Sequence, residues 1–281
     1  MDDTLDGHDA LDEHDALDDS QTDRYSRQLM LDQIGEAGQL GLLEARVLVV
    51  GAGGLGSAAI QYLAAAGVGT IGVADGGTVS RSNLQRQVVH READVGEPKV
   101  ESAARFIEAR NDEVAVRTHH GRIEPDDAEA IVDGYDVVVD GLDNFASRFL
   151  LNDVARLAGV PFVHGAVYAL EGQATTFRPG GPCYRSLLPE APEAGSVPSD
   201  EPMAIFPTLP GTIGCLQATE TLKYLLGIGE LLDGRLLRYD ATDVTFVETP
   251  LERDPDCPVC VEDGIDSIED VDYSDRCRIP R

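Results

Sequence analysis

The stretch that decides this fold runs from an apolar segment, Val47-Leu48-Val49-Val50, into Gly51-Ala52-Gly53-Gly54-Leu55-Gly56. An apolar run followed by closely spaced glycines predicts a buried strand, a tight turn and the start of a helix. Such a turn lets backbone N–H groups approach phosphate oxygens at the positive N-terminal end of the helix. We therefore expect the phosphates of a nucleotide to be held by four glycines, Gly51, Gly53, Gly54 and Gly56.

An acidic residue, Asp75, ends the next apolar segment of the sequence. At the end of the second strand of such a fold, an acid can accept hydrogen bonds from the hydroxyls of a ribose. This pattern is strong evidence for the fold but weak evidence for the chemistry, because an NAD-dependent dehydrogenase fits it equally well.

Residues downstream of Asp75 favour ATP over NAD. Arg86, in Ser82-Asn83-Leu84-Gln85-Arg86-Gln87, can fork onto phosphate oxygens, and Lys99, in Gly96-Glu97-Pro98-Lys99, supplies a point charge. Attack at the α-phosphorus of a triphosphate requires cations on its non-bridging and leaving oxygens. The alternative is that both cations are ordinary residues of helix faces. The ATP site that we predict from this segment consists of Asn83, Arg86, Gln87 and Lys99.

A second acid follows a later apolar strand, in Asp140-Gly141-Leu142-Asp143-Asn144. Asp143 is well placed to hold Mg²⁺ against the phosphates, because this ion prefers carboxylate oxygens in such sites. The alternative role is that of an N-cap for a helix that begins near Phe145. The two roles do not exclude each other.

Apolar strands alternate with helices along most of the chain, which predicts a mostly parallel sheet with helices on both faces. The predicted strands are Arg46–Val50, Thr70–Ala74, Val114–Thr118, Asp136–Asp140, Pro161–Ala166, Gln173–Phe177, Arg235–Tyr239 and Val244–Glu248. The predicted helices are Leu29–Leu43, Leu55–Ala66, Lys99–Arg110, Asp126–Ile131, Phe145–Ala158 and Thr212–Leu226. The fold class is α/β, Rossmann-like and doubly wound, with a C-terminal antiparallel extension and the ligand at the carboxyl edge of the strands.

Composition divides the chain into three parts. Residues 1–22 are predicted to form a disordered acidic arm, residues 23–260 a globular domain, and residues 261–281 an acidic tail. Within the domain, residues 178–207 form a loop rich in proline and glycine. A connection of that length is uncommon in a compact domain unless it has a function.

The net charge of −29, from 51 acids and 22 bases, excludes several classes of partner. Nucleic acids and anionic membranes are polyanions, so we expect neither to bind. Only Lys99 and Lys223 are lysines, and an acidic, lysine-poor surface is typical of a protein that stays soluble at very high salt. No apolar run is long enough to span a membrane, and acids stand where a signal peptide carries bases, which predicts a cytoplasmic protein.

These motifs resemble those of the MoeB/ThiF/HesA family, prokaryotic relatives of ubiquitin-activating enzymes, and above all those of the archaeal ubiquitin-like-protein activating enzymes. Further matches are Arg24-Tyr25-Ser26-Arg27-Gln28, Tyr184-Arg185 and Pro210–Glu220, so the resemblance runs from about Arg24 to Cys260. It implies an enzyme that uses ATP and Mg²⁺ to adenylate the C-terminal Gly-Gly of a small β-grasp ubiquitin-like or sulfur-carrier protein, releasing pyrophosphate. It also implies a homodimer in which Arg27 reaches into the partner's ATP site. The catalytic residues would be Arg27, Arg86, Lys99 and Asp143.

The chain departs from this family at its zinc site, where two cysteine pairs are usual. The second pair is intact in Cys257-Pro258-Val259-Cys260, but the first reads Cys183-Tyr184-Arg185-Ser186. A neutral hydroxyl is a poor zinc ligand. The site of Cys183, Cys257 and Cys260 is therefore lost, weakened or completed by Cys277.

The second departure concerns a loop cysteine with which many relatives form a thioester or persulfide. The segment Gly195–Pro202 contains none, and Asp200 lies near the expected position. Cys215 is the nearest thiol, but its place in an apolar helix predicts a structural role. Adenylation needs no protein nucleophile, so the sequence supports it and gives no support to covalent transfer. The alternative function is a non-catalytic nucleotide-binding paralogue, a scaffold or regulator, with an NAD dehydrogenase a distant third.

Overall fold

The computed structural model describes residues 16–192, 204–260 and 264–273. The helices of this part are α1 (Asp19–Leu29), α2 (Gly35–Glu44), α3 (Gly54–Ala66), α4 (Lys99–Arg110), α5 (Pro125–Val132), α6 (Phe145–Leu157), α7 (Tyr184–Leu187) and α8 (Leu209–Leu226). The strands are β1 (Arg46–Val50), β2 (Thr70–Asp75), β3 (Ala115–His120), β4 (Val137–Asp140), β5 (Phe162–Tyr168), β6 (Glu171–Phe177), β7 (Arg235–Asp240) and β8 (Thr245–Pro250). Short 3₁₀ turns occur at Arg81–Asn83, Glu92–Asp94 and Ile268–Asp270.

All the described strands lie in one sheet, in the order β3-β2-β1-β4-β5-β6-β7-β8. The first five strands in this order are parallel, and β6, β7 and β8 continue the sheet in antiparallel pairs. Val50, the last residue of β1, pairs with Ala74 on one side and with Asp140 on the other. The carboxyl ends of the three central strands therefore meet at one edge. The predicted α/β fold with its antiparallel extension is confirmed.

Two apolar layers enclose the central strands. Side chains alternate between the faces of a strand, so Val47 and Val49 pack beneath α3, α4 and α8, while Leu48 and Val50 pack against α5 and α6. All four side chains are buried. Because both faces are covered, only the edges and the loops are left to bind a ligand. Among the described helices, none combines the length and the apolar character that a membrane span requires.

The prediction of one helix over Leu29–Leu43 is wrong, because two helices meet there at a turn. Gly35 has a φ of +55°, a left-handed conformation that glycine adopts readily and that lets the chain change direction. Gln28 donates a hydrogen bond to Gln39 across this turn (2.7 Å), and both amides also donate to the carbonyl of Ala66. Buried polar contacts between α1, α2 and α3 thus replace the continuous helix.

Other boundaries also differ from the predicted ones. Asp18 and Gln21 form a capping box at the start of α1, so residues 19–22 of the predicted acidic arm are helical. Residues 1–15 lie outside the described part of the chain. In the predicted loop 178–207, residues 184–187 form α7, and Ile205 makes a parallel bridge with Ala169. Residues 264–273 pack on the domain, since Tyr273 donates to the buried Asp153 (2.8 Å).

Candidate active site

Gly51 and Gly56, on either side of the turn from β1 into α3 (the glycine loop), have no room for a side chain. Gly51 has a φ of +97°, and a Cβ atom there would lie 2.5 Å from the carbonyl oxygen of Gly141. A Cβ atom on Gly56 would lie 1.8 Å from the carbonyl oxygen of Gly51. The backbone can therefore turn tightly and present the first N–H groups of α3 at the carboxyl edge of the sheet. This geometry suits a phosphate group.

Asp75 connects the glycine loop to Lys99. Its carboxylate accepts hydrogen bonds from the backbone N–H groups of Ala52 (2.8 Å) and Gly77 (2.6 Å). The ammonium group of Lys99, the first residue of α4, lies 3.8 Å from Asp75 Oδ2. The side chains of Asp75 and Lys99 are only 12% and 15% exposed, so water screens this pair weakly. Asp75 thus orients both the loop and the cation.

Arg86 approaches the glycine loop from the segment that follows β2. Its guanidinium Nη2 donates to Asn83 Oδ1 (2.8 Å), and Asn83 Nδ2 donates in turn to Ser80 Oγ (2.7 Å). The stem of Arg86 passes over the first residue of α3, since its Cγ atom lies 3.5 Å from where a Cβ atom on Gly54 would be. Asn83 therefore fixes the direction of Arg86.

Two buried groups lie behind this loop. Gln87 Oε1 is buried without a hydrogen-bond partner among the described residues, and such an atom in a cleft is often completed by a ligand or water. His90 Nε2 donates to the carbonyl of Ala52 (2.9 Å), and its Nδ1 lies 2.8 Å from Ser102 Oγ. Burial lowers the pKa of His90. We assign His90 a role in holding the glycine loop.

Asp143 is exposed, three residues after the end of β4. The turn that carries Asp143 contacts the glycine loop directly, because Gly141, two residues before Asp143, packs against Gly51. Asn144, and not Asp143, caps α6: its side chain accepts from the N–H group of Ser147 (2.9 Å). The carboxylate of Asp143 is therefore left at the edge of the sheet, where it could ligate Mg²⁺.

A buried ion pair holds the loop that carries Asp143. Asp140 Oδ2 accepts from Arg148 Nε (2.7 Å) and His164 Nδ1 (2.7 Å), and Asp140 Oδ1 accepts from the N–H group of Leu142 (3.0 Å). Arg148 also donates to the carbonyl of Leu142. Burial alone would raise the pKa of Asp140, but the Arg148 charge and the His164 hydrogen bond outweigh it and lower that pKa. The side chain of Asp140 and the backbone of Leu142 are thus held in place.

The three predicted zinc ligands form a second cluster. Cys183 Sγ and Cys257 Sγ are 3.6 Å apart, and the sulfur atoms of all three cysteines lie within 4.8 Å of one another. Thiolates around a tetrahedral zinc ion are about 3.8 Å apart, so the donor set fits this metal. Ser186 Oγ lies 3.6 Å from Cys260 Sγ and accepts from the N–H groups of Cys183 and Asp254, both at 3.3 Å.

Comparison with known proteins identifies the family. The ThiF family profile matches residues 25–259. The chain belongs to the ThiF family. It is 57% identical to the SAMP-activating enzyme E1 of Haloferax volcanii, over 92% of this chain and 96% of that one. It is 46% identical to the sulfur carrier protein adenylyltransferase of Thermus thermophilus, over 92% of this chain and 97% of that one.

Solved structures share the fold. The crystal structure of E. coli MccB with MccA-N7isoASN superposes with a TM-score of 0.75 at 24% identity, covering 85% of this chain and 75% of that one. The Haloferax source of one relative is consistent with the acidic composition that we associate with high salt.

Within this ThiF-family fold, the remaining predicted residues lie away from the glycine loop or outside the described part. Arg27 is exposed on α1, where its neighbour Gln28 contacts Ala66 at the C-terminal end of α3. Cys215 is half-buried, and burial raises its pKa, which disfavours the nucleophilic thiolate. Asp200 and Cys277 lie outside the described residues.

Sequence reasoning did not single out His90, His164 and Gln173, which hydrogen bonds connect to the glycine loop or to the turn before Asp143. Each lies in a segment whose pattern indicates only a buried strand or a connection, and a lone histidine among apolar residues is typical of a core position. Their partners are far away in the sequence: His90 contacts Ala52, and His164 contacts both Asp140 and Gln173. Only the sheet order brings these groups together.

We expect His164 to stay neutral at pH values where an exposed histidine is charged. Burial lowers the pKa of His164, so the unfolded chain binds a proton more readily than the folded one. The contribution of His164 to stability is therefore present above about pH 6.5 and is lost as the pH falls below that value. A ¹⁵N NMR titration checks this expectation. Protonation of the folded-state His164 ring at about pH 6.5, the value of a free imidazole, would contradict it.

Proposed function

We propose that this chain activates the C-terminal Gly-Gly of a small ubiquitin-like or sulfur-carrier protein by ATP-dependent adenylation. The observation that carries the proposal is the meeting of three features at one sheet edge: a tight glycine loop, the cations Arg86 and Lys99, and the carboxylate of Asp143. The names of the Haloferax and Thermus relatives support the same reaction.

The residues divide this chemistry between them. ATP would be held by the glycine loop together with Asn83, Arg86, Gln87 and Lys99. Asp75 would lie near its ribose. Asp143 would hold Mg²⁺. A carboxylate oxygen of the carrier forms a bond to the α-phosphorus, and the bond from that phosphorus to the bridging oxygen breaks. Cations near the non-bridging and leaving oxygens lower the barrier, because negative charge grows there as pyrophosphate departs. No cysteine takes part in this step.

We expect Lys99→Ala and Asp143→Ala each to reduce ATP–pyrophosphate exchange by more than about 100-fold, because each removes a charge that the transition state requires. Asp143 is exposed, so Asp143→Ala should keep the wild-type melting temperature. Lys99→Ala also leaves Asp75 without its cation, so its melting temperature is measured to show that the variant is folded. Matched controls are Arg105→Ala on α4 and Asp126→Ala on α5. Exchange at the wild-type rate in either site variant would remove the assigned role.

The position of Arg27 supports a homodimer. Helix α3 has 13 residues, so its ends are about 18 Å apart. Gln28 contacts the C-terminal end of α3, whereas the glycine loop is at the N-terminal end of this helix. Arg27 is therefore too far from the glycine loop of its own chain for an arginine side chain to reach it. In our proposal, a second copy of the chain supplies this arginine. Exposed apolar side chains nearby suit such an interface: Met30, Leu31 and Tyr62.

Mixing two inactive variants tests this arrangement. Arg27→Ala and Lys99→Ala should each be inactive alone, because every site of either homodimer lacks one cation. After subunit exchange, half of the dimers carry one intact site, so about a quarter of the wild-type activity should return. Activity is measured by ATP–pyrophosphate exchange. No recovery in mixtures that form heterodimers, as judged by mass spectrometry, would show that Arg27 does not act across the interface.

We also propose that Cys183, Cys257 and Cys260 bind one zinc ion as thiolates, with Ser186 as a hydrogen-bond donor and not as a ligand. The hydroxyl of Ser186 already accepts from two backbone N–H groups, which occupy both of its lone pairs. Its own hydrogen is then directed to Cys260 Sγ. A hydrogen bond of this kind stabilises a thiolate, so Ser186 would support the site without completing it.

A cysteine at position 186 should complete the tetrahedron. We expect Ser186→Cys to tighten zinc at least tenfold, measured by competition with a chelator, because a fourth thiolate would be added to the three of the wild-type site. The Co²⁺-loaded variant should show the absorption of a four-thiolate site, and the Co²⁺-loaded wild type should not. Cys277→Ala serves as the control. Loss of zinc in this control would identify Cys277 as the fourth ligand and overturn the three-thiolate site.

The second candidate function is a non-catalytic paralogue that binds nucleotide and acts as a scaffold or regulator. The absence of cysteine from the segment 195–202 and the serine at position 186 favour it. ATP binding by a folded dimer without exchange, with every Gly-Gly carrier of the same genome, would support this candidate. A cytoplasmic location stays a prediction from the sequence.

A further inference from the structure

His164 connects the turn before Asp143 to a residue of the antiparallel extension. Its Nδ1 lies 2.7 Å from the carboxylate of Asp140, and its Nε2 lies 3.1 Å from the side-chain nitrogen of Gln173. A carboxylate has no hydrogen to donate, so Nδ1 must carry the proton. Nε2 of the neutral ring then has a free lone pair, and Gln173 must donate to it.

The state of His164 fixes the orientation of the Gln173 amide. With its nitrogen held by His164, the oxygen Oε1 of Gln173 faces away from the ring. Gln173 is half-buried, and its Oε1 has no hydrogen-bond partner among the described residues. A glutamine on a surface can usually rotate its amide, but this one presents an acceptor in a set direction.

The register of the sheet places Gln173 at the carboxyl edge. Val139 of β4 pairs with Val163 of β5, so β4 ends level with His164. Gln173 pairs with Ala166, two residues further along β5. Each residue of a strand advances about 3.3 Å, so Gln173 lies about 7 Å beyond the end of β4. Gln173 is thus at the carboxyl edge of the sheet, the edge at which the Asp143 turn also lies.

A second segment borders this part of the edge. The N–H group of Phe206 donates to the carbonyl of Ala169 (3.0 Å), in the turn between β5 and β6. The chain that returns from the 178–207 segment therefore passes beside the hairpin that carries Gln173. In the strand order, β6 with Gln173 is separated from β1 and its glycine loop by β4 and β5, so an extended peptide lying along the carboxyl edge from β6 to that loop would pass next to this amide.

A Gly-Gly tail offers an enzyme no side chains, so only its backbone N–H and C=O groups can be recognised. We infer that Gln173 Oε1 accepts a hydrogen bond from a backbone N–H group of the carrier's C-terminal Gly-Gly, with Asp140 and His164 as the positioning residues that fix its amide. This inference rests on the proposed adenylation and names a contact that selects its substrate.

The test measures ATP–pyrophosphate exchange at several carrier concentrations with wild-type protein and Gln173→Leu. We expect the KM for the carrier to rise about tenfold in the variant, while the KM for ATP stays within twofold.

The second substrate is a semisynthetic carrier with sarcosine in place of one terminal glycine, which removes one N–H group. Methylation at the contacted position should raise the KM for wild type about tenfold, and for Gln173→Leu much less.

Gln61→Leu, a half-buried glutamine of α3 that bonds only within its helix, is the matched control. The melting temperature and the affinity for ATP show whether Gln173→Leu is folded. A KM for the carrier that is unchanged in Gln173→Leu, or equal methylation penalties at both glycines in both proteins, would overturn the inference and leave the proposed function intact. Absence of exchange in the wild type with every carrier would overturn both.

The conservative variant Asp140→Asn tests the positioning residues. An asparagine can donate to Nδ1, so the proton of His164 can move to Nε2, and Gln173 then turns its nitrogen outward. We expect the ¹⁵N shifts of His164 to report the other tautomer and the methylation penalty to disappear. An unchanged tautomer with an unchanged penalty would show that Asp140 does not set the amide of Gln173.

Discussion

The close approach of two backbone segments, Gly51 after β1 and Gly141 after β4, is the constraint on which the site depends. A Cβ atom on either residue would lie 2.5 Å from the carbonyl oxygen of the other. This contact brings the glycine loop and the turn that carries Asp143 to the same edge of the sheet. The parallel register of β1 with β4 creates it, because Val50 and Asp140 are paired partners.

Buried charge keeps this contact in place. A carboxylate at the end of a buried strand is unfavourable unless hydrogen bonds or a cation stabilise its charge. Asp140 satisfies this requirement with Arg148, His164 and a backbone N–H group. Asp75 does the same on the other side of β1, where it accepts from Ala52 and Gly77. The two acids are therefore fixed points beside Lys99 and the turn that carries Asp143, the residues to which we assign the chemistry.

Much of this fold was predictable from local pattern. Strands such as Arg46–Val50 and helices such as Lys99–Arg110 have the predicted bounds, because an apolar period or run determines them within a few residues. The turn that divides Leu29–Leu43 between α1 and α2 was not predictable, because the contacts of Gln28 with Gln39 and Ala66 depend on α3. The packing of Tyr273 on Asp153 was missed for the same reason: its partner is 120 residues away.

The sequence by itself determined the fold class, the glycine loop and the cations that accompany it, because their spacing within one segment reflects the turn that they make. Only the tertiary structure decided which residues support them. Asp140, His164 and Gln173 come from three strands, and Cys183 meets Cys257 across 74 residues. Sheet order and register set these distances, and they arise from the packing of the whole domain, which no short segment encodes.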